Sequence, residues 1–323
     1  MSTTSRQAEP QVVWVPYADA EDAAAHLGPV PRGLALDCYR ADDDPWPASI
    51  DRVALYVLPY LRGTRVLDRV ADMRGLRVVQ TLTAGYEEFA ALLPPGVTLC
   101  NAAGVHDAST AELAVALALA SGRRLDAYAQ AQPAHRWARQ PGLSLADRHV
   151  LVVGYGRIGQ AVERRLAGFE VASVTRVART ARPGPPPVHG VDALPDLLPH
   201  AEVVVLVAPL TPQTEGLVGR RELDLLPDDA LVVNVGRGRL LDAAALEAVA
   251  TSGRLRFALD VTDPEPLPPT SPLWDLPNVL LSPHVGGASS AFQPRADALV
   301  RDQLARFAAG AELANVVVDG RRP

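Results

Sequence analysis

One decapeptide constrains this chain more than any other stretch: Val150-Leu151-Val152-Val153-Gly154-Tyr155-Gly156-Arg157-Ile158-Gly159. A short apolar run ends in G-x-G-x-x-G, and Ala161-Val162-Glu163-Arg164-Arg165-Leu166 continues with helical spacing. Strand, glycine turn and helix in that order form the fingerprint of a dinucleotide site. Each glycine has its own task. Gly154 permits the tight turn, Gly156 lets a pyrophosphate approach the backbone, and Gly159 lets helix and strand pack closely. Arg157 and Ile158 open the helix, whose unpaired N–H groups and positive dipole end favour phosphate.

The 323 residues suffice for two domains with substantial cores. A net charge of −6 speaks against a nucleic-acid surface, and Arg123-Arg124 and Arg321-Arg322 read as solvated pairs. The two cysteines, Cys38 and Cys100, stand in no metal or redox spacing, as expected of a cytoplasmic chain. There is no signal pattern and no run long enough to span a bilayer, so no membrane partner is expected. All 31 basic residues are arginine. Without a lysine amine, Schiff-base catalysis, pyridoxal phosphate anchoring and P-loop phosphate transfer are excluded.

Along the chain, residues 1–10 are polar and read as frayed. Short apolar runs then recur at Val12–Val15, Leu34–Leu36, Val53–Val57, Val78-Val79 and Val97–Leu99, with helix-like pieces at Ala18–Leu27 and Leu61–Met73. Asp42-Asp43-Asp44-Pro45-Trp46-Pro47 reads as a solvated loop, since hard cations need spaced ligands. A long alanine-rich helix is expected from Ser109 to Ser121, capped by Ser109 or Thr110, and a second helical piece to about Trp137. Six further strands follow: His149–Val153, Val171–Thr175, Val203–Val207, Leu231–Val235, Phe257–Asp260 and Val279–Leu281. Pro183–Pro187 connects strands of one sheet, and Phe292–Ala309 carries helical spacing. The alternation predicts an α/β fold with parallel sheets, the second half of the chain holding a complete doubly wound unit.

Ligands of such sheets bind beyond the carboxyl ends of the strands. Asn234-Val235-Gly236-Arg237-Gly238 leaves one strand end, Asp260 and Pro264-Glu265-Pro266 the next, and Ser282-Pro283-His284-Val285-Gly286-Gly287 the third. An arginine, a carboxylate and a histidine thus share the edge of the glycine turn. His284 suits a general acid–base, because imidazole exchanges protons near neutral pH. Glu265 would orient the ring. Arg237 would polarise a carbonyl and grip a neighbouring carboxylate through its planar fork.

The cofactor side has its own signature. An acidic residue ordinarily stands ~20 positions beyond the first glycine and holds a ribose 2′-OH. Here Thr175 falls at the expected place, and Arg176 and Arg179 follow. A hydroxyl and two guanidinium groups suit a 2′-phosphate, so NADPH is the expected cofactor, with NAD possible.

Taken together, Val150–Gly159, Pro209-Leu210-Thr211-Pro212-Gln213-Thr214, Asn234–Gly238, Asp260–Pro268 and Ser282–Gly287 resemble the motif series of the D-2-hydroxyacid dehydrogenases. Asp260–Pro268 looks closest to the glyoxylate/hydroxypyruvate reductase branch. The resemblance implies two Rossmann-like parallel-sheet domains, a flavodoxin-like substrate domain of residues 1–102 plus 291–323 and a dinucleotide-binding domain of residues 103–290, with the active site in the cleft between them. It implies a homodimer acting on a small 2-keto or 2-hydroxy acid. It carries the catalytic set onto Arg237, Glu265 and His284. Further cofactor contacts fall on Pro209, Thr214, Val235, Gly236, Asp260 and Gly286, and a substrate-carboxylate loop of backbone N–H groups on Thr83-Ala84-Gly85. Glu87 stands where the family often has aspartate, and Asp147-Arg148 where it has glycine-lysine. The alternative from another class is a non-catalytic, dinucleotide-sensing protein of the same fold, resembling corepressors.

Overall fold

The computed structural model describes residues 9–42 and 45–320. The polar start of the chain, Asp43, Asp44 and the Arg321-Arg322 pair lie outside the described residues. The chain divides into two compact units: one runs to His106 and resumes at Ser290, and the other spans Asp107–Ser289.

The first unit opens with β1 (Gln11–Val15), β2 (Leu34–Cys38), β3 (Val53–Val57), β4 (Val78–Gln80) and β5 (Thr98–Cys100). The second holds β6 (His149–Val153), β7 (Ser173–Ala178), β8 (His189–Gly190), β9 (Val203–Leu206), β10 (Leu231–Asn234), β11 (Arg256–Leu259) and β12 (Val279–Leu281). The chain then returns through the helix Phe292–Ala309 to β13 (Val316–Val318).

In the first unit the strand order is β13-β5-β4-β3-β1-β2, parallel throughout except for β13, which pairs antiparallel with β5. Apart from that edge this is the flavodoxin-like order. The second sheet runs β12-β11-β10-β9-β6-β7-β8, all parallel: the dinucleotide-binding order with a seventh strand added beyond β11. Both are α/β parallel-sheet domains, as the strand–helix alternation predicts.

Period two explains how both faces are buried. Along β9, Val204 and Leu206 enter one core with Val232, Phe257 and Leu246, while Val203 and Val205 enter another with Ala111, Ala114 and Val162. The second core belongs to the helix Asp107–Gly122, whose alanines let it lie close on the sheet. In the first unit Val13 and Val15 face Ala296, Val300 and Leu304, while Trp14 packs with Tyr39, Tyr56 and Val66 on the other side.

Several local expectations are corrected. Leu61–Met73 forms two short 3₁₀ turns, Thr64–Leu67 and Val70–Asp72, because Leu61 and Gly63 take left-handed backbone angles (φ 57° and 63°) that no helix can include. The long helix begins at Asp107, so Ser109 and Thr110 are buried inside it and do not cap it. The next helix, Leu125–Ala131, stops short of Trp137, since Pro133 removes a helical N–H. The second strand of the dinucleotide sheet lies later than expected: Glu170 turns left-handed (φ 55°), and Val174 to Val177 pair with Val150 to Val153. The strands β8 and β13 were not expected. They have two and three residues, too short for a period to register. Among the described residues no helix is long and apolar enough to cross a membrane.

Candidate active site

The glycine turn follows β6, at the point where the strand order reverses between β6 and β9. Gly154 has φ 110°, and a Cβ there would lie 2.4 Å from the Ala208 nitrogen. At Gly159 a Cβ would lie 2.5 Å from the Gly154 carbonyl oxygen. These two glycines are required by the chain itself. Gly156 is different: a Cβ would meet nothing within 4 Å. It is the N-cap of the helix Arg157–Leu166 and, being glycine, brings no side chain to the first N–H groups of the helix. A concave turn of bare N–H groups with room above its central glycine fits a dinucleotide pyrophosphate. The Arg157 side chain is drawn to Asp107, Nε donating to Oδ2 at 2.8 Å, and Ile158 packs on the core, so both would serve a ligand through backbone alone.

The later start of β7 changes the cofactor side. Thr175 and Arg176 stand inside the strand, opposite Leu151 and Val152, and not at its end. Arg176 is engaged: Nε donates to Glu163 Oε2 at 2.9 Å and Nη2 to Oε1, while the Tyr155 hydroxyl donates to the same carboxylate. The Glu163 contact holds the Arg176 guanidinium above its ordinary value. Burial opposes ionisation of Glu163, but Arg176 and Tyr155 outweigh it and hold the carboxyl below the usual range. Burial, and then Glu163, push the Tyr155 phenol up. The residues beyond the strand end are Arg179 and, after two more, Arg182. Arg182 is pinned by a backbone bridge to Val188 that closes the Pro183–Pro187 loop. Its Nη2 donates to the Tyr155 carbonyl at 2.7 Å, with the guanidinium 5.8 Å from the centre of the Tyr155 ring.

At the carboxyl ends of β10, β11 and β12 three loops are locked together. Asp260 is 2 % exposed, and its carboxylate accepts from Ser282 Oγ (2.6 Å), Val285 N (2.9 Å) and Gly286 N (2.8 Å). Asp260 thereby anchors the histidine loop. The His284 N–H donates to the Asp260 carbonyl at 2.8 Å, and the residue is held at φ 52°, a left-handed angle uncommon outside glycine. That bend sets His284 Nδ1 against Glu265 Oε1. A carboxylate only accepts, so Nδ1 carries the hydrogen and Nε2 is left for proton exchange. Both side chains are partly open to solvent.

Arg237 follows from β10 through an Asn234 clamp. Asn234, fully buried, receives the Gly236 N–H (3.1 Å) and donates to the Arg237 carbonyl (2.9 Å). Next to it, a Cβ on Gly238 would lie 1.9 Å from the Thr262 carbonyl oxygen, so the arginine loop is seated directly on the loop leading to Glu265. Val235 is buried and donates its N–H to Leu206. Thr214 closes the 209–214 turn by donating to the Pro209 carbonyl at 2.7 Å.

In the first unit the Thr83-Ala84-Gly85 loop follows β4 and is tied by its carbonyls. Thr83 O accepts from Ala102 N (2.9 Å) and Thr81 Oγ1 (2.8 Å), Ala84 O from Asn101 Nδ2 (2.8 Å), and Gly85 O from Thr83 Oγ1 (2.7 Å). With the carbonyls held, no described residue accepts from the three N–H groups. Such a nest suits a carboxylate. Thr81, Asn101, Asn234 and Ser282 were missed as site-building residues. Asn234 carried a signal, an Asx residue two before a glycine at a strand end.

Three comparisons bear on what this arrangement is. Residues 115–286 match the family described as D-isomer specific 2-hydroxyacid dehydrogenase, NAD binding domain. The glyoxylate reductase/hydroxypyruvate reductase of Mus musculus is 34% identical over 286 residues, covering 81% of this chain and 87% of the mouse protein. Among solved structures, a D-isomer specific 2-hydroxyacid dehydrogenase from Xanthobacter autotrophicus Py2 in complex with NADPH and MES is 30% identical with a TM-score of 0.78, covering 98% of this chain and 99% of that one. An NADPH-dependent glyoxylate/hydroxypyruvate reductase from Sinorhizobium meliloti, in complex with NADP and malonate, is 26% identical with a TM-score of 0.76, over 97% and 98% of the two chains. The chain belongs to the D-isomer specific 2-hydroxyacid dehydrogenase family of nicotinamide-dependent oxidoreductases.

Proposed function

We propose that the chain reduces short 2-keto acids to D-2-hydroxy acids with NADPH as preferred cofactor, glyoxylate and hydroxypyruvate being the first substrates to test. The observation that carries this reading is the His284 Nδ1–Glu265 Oε1 contact on a loop anchored by buried Asp260. Bound reduced nicotinamide supplies the hydride to the keto carbon. Glu265 holds the Nδ1 hydrogen and fixes the ring, and His284 Nε2 gives a proton to the oxygen that becomes the hydroxyl. Arg237 binds and polarises the keto acid through its fork. The bare N–H groups of Thr83, Ala84 and Gly85 suit a carboxylate, which supports a substrate-binding role for the first unit. The mouse and Sinorhizobium relatives, named for glyoxylate and hydroxypyruvate, support this substrate class.

Preference for NADPH is assigned to Arg179 and Arg182 beyond the end of β7, replacing the expected Thr175 and Arg176. The NADPH- and NADP-bound relatives are in keeping with it. The test is a 2-keto acid panel followed by loss of reduced-nicotinamide absorbance, run side by side with NADPH and NADH. Turnover of glyoxylate or hydroxypyruvate with higher kcat/KM for NADPH is expected, and Arg179→Ala should weaken NADPH selectively, whereas Arg182 also holds the Tyr155 carbonyl. Tight cofactor binding without turnover of any acid would favour a dinucleotide sensor instead.

A further inference from the structure

We propose that Glu163 and Arg176 are positioning residues that preset the dinucleotide turn through Tyr155, and that Arg176 therefore supports NADPH and NADH alike. The inference rests on the NAD-binding assignment of this domain and not on which acid is reduced.

Tyr155 stands between Gly154 and Gly156, the two residues with the most backbone freedom in the turn. Its main chain is held on one side by Val177, whose carbonyl accepts from Gly154 N and Tyr155 N at 2.9 Å each. Its side chain is held on the other. The hydroxyl donates to Glu163, which lies on the helix that begins at this same turn, and the ring lies within 5.7 Å of the Arg176 guanidinium on β7. One phenol thus fastens the turn to both the helix after it and the neighbouring strand. The pair behind it is partly enclosed, the Arg176 and Glu163 side chains being 14% and 22% exposed. Two nitrogens of one fork meet the two carboxylate oxygens, a geometry that orients as well as attracts.

The same geometry removes Arg176 from the choice of cofactor. A reader of the 2′-phosphate must offer free donors to a dianion, and here Nε and Nη2 already meet a carboxylate. A phosphate would have to displace Glu163 and loosen the turn that seats the pyrophosphate. Fixing a flexible turn before the ligand arrives lowers the ordering cost of binding for any nucleotide with a pyrophosphate, whichever ribose substituent it carries.

The test is the Kd of NADPH and of NADH, titrated separately against the whole chain without keto acid. Glu163→Gln and Arg176→Gln should each raise both Kd values by the same factor, about tenfold. Tyr155→Phe should raise both by a few-fold. The double reversal Glu163→Arg with Arg176→Glu keeps an ion pair and should regain most of the affinity, which also keeps the test open if a single variant folds poorly. An Arg176 variant that loses NADPH alone would overturn the proposal. So would a lower melting temperature with both Kd values unchanged, since the pair would then support the fold and not the turn. A wild-type chain that bound neither nucleotide would instead remove the cofactor reading beneath it.

Discussion

Each unit passes from its first strand into a helix at the point where the strand order turns back, and the two turns treat the helix start in opposite ways. After β1 the chain runs Pro16-Tyr17-Ala18-Asp19, and Asp19 Oδ1 accepts from Glu21 N and Asp22 N at 2.9 Å each, capping the helix Ala20–Leu27. After β6 it runs Gly154-Tyr155-Gly156, and no side chain caps the helix Arg157–Leu166. The cap in the first unit satisfies N–H groups and sets a negative charge at the positive end of the dipole. Its absence in the second forgoes that stabilisation and leaves a seat for an external anion. Two sheets of one architecture differ in whether the chain spends those donors on itself.

The largest effect should come from the catalytic edge of the second unit. His284→Ala is expected to cut kcat for keto-acid reduction ~10²–10⁴-fold with cofactor Kd retained. Near-normal turnover would remove the acid–base role. Next comes a transplant of the first unit's cap. Gly156→Asp has space for its side chain and should weaken NADPH and NADH together by roughly tenfold, the scale of a charge at a helix end. Unchanged Kd values would mean that the bare helix start does not seat the pyrophosphate.

The mirror experiment is smaller and reads out elsewhere. Asp19→Ala should lower stability by about 1 kcal/mol in urea unfolding and leave cofactor binding as it was; a cofactor defect would break the contrast between the turns. The smallest effect is in acid. Glu163 is held below the usual glutamate range, burial opposing and Arg176 and Tyr155 prevailing. Between its folded and unfolded values the unfolded chain binds the extra proton, so stability rises with pH. The contribution is complete above the ordinary range and lost as pH falls through the folded value. Glu163→Gln should flatten this part of the acid-unfolding curve, and an identical curve for both proteins would contradict the assignment.

Much of the fold was legible because its elements are periodic. β3, β6 and β12 fall where apolar runs predict them, and the helix Phe292–Ala309 has the expected bounds. Legibility failed where backbone angles decide. Glu170 in a left-handed turn delays β7, and that delay moves Arg176 from a strand end into a strand. Apolar spacing across Leu61–Met73 resembles a helix, yet Leu61 and Gly63 prevent one. Neither angle leaves a mark on hydrophobic period.

The sequence by itself determined the glycine turn, the parallel strand–helix alternation and the residue types at three strand ends, because local spacing and side-chain chemistry suffice for these. Only the tertiary structure decided what each polar group is spent on. It commits Asp260 to the His284 loop and Arg176 to Glu163. The physical reason is that a hydrogen bond depends on atoms brought within about 3 Å, and residues far apart in the chain meet at that distance only after the strands have taken their register.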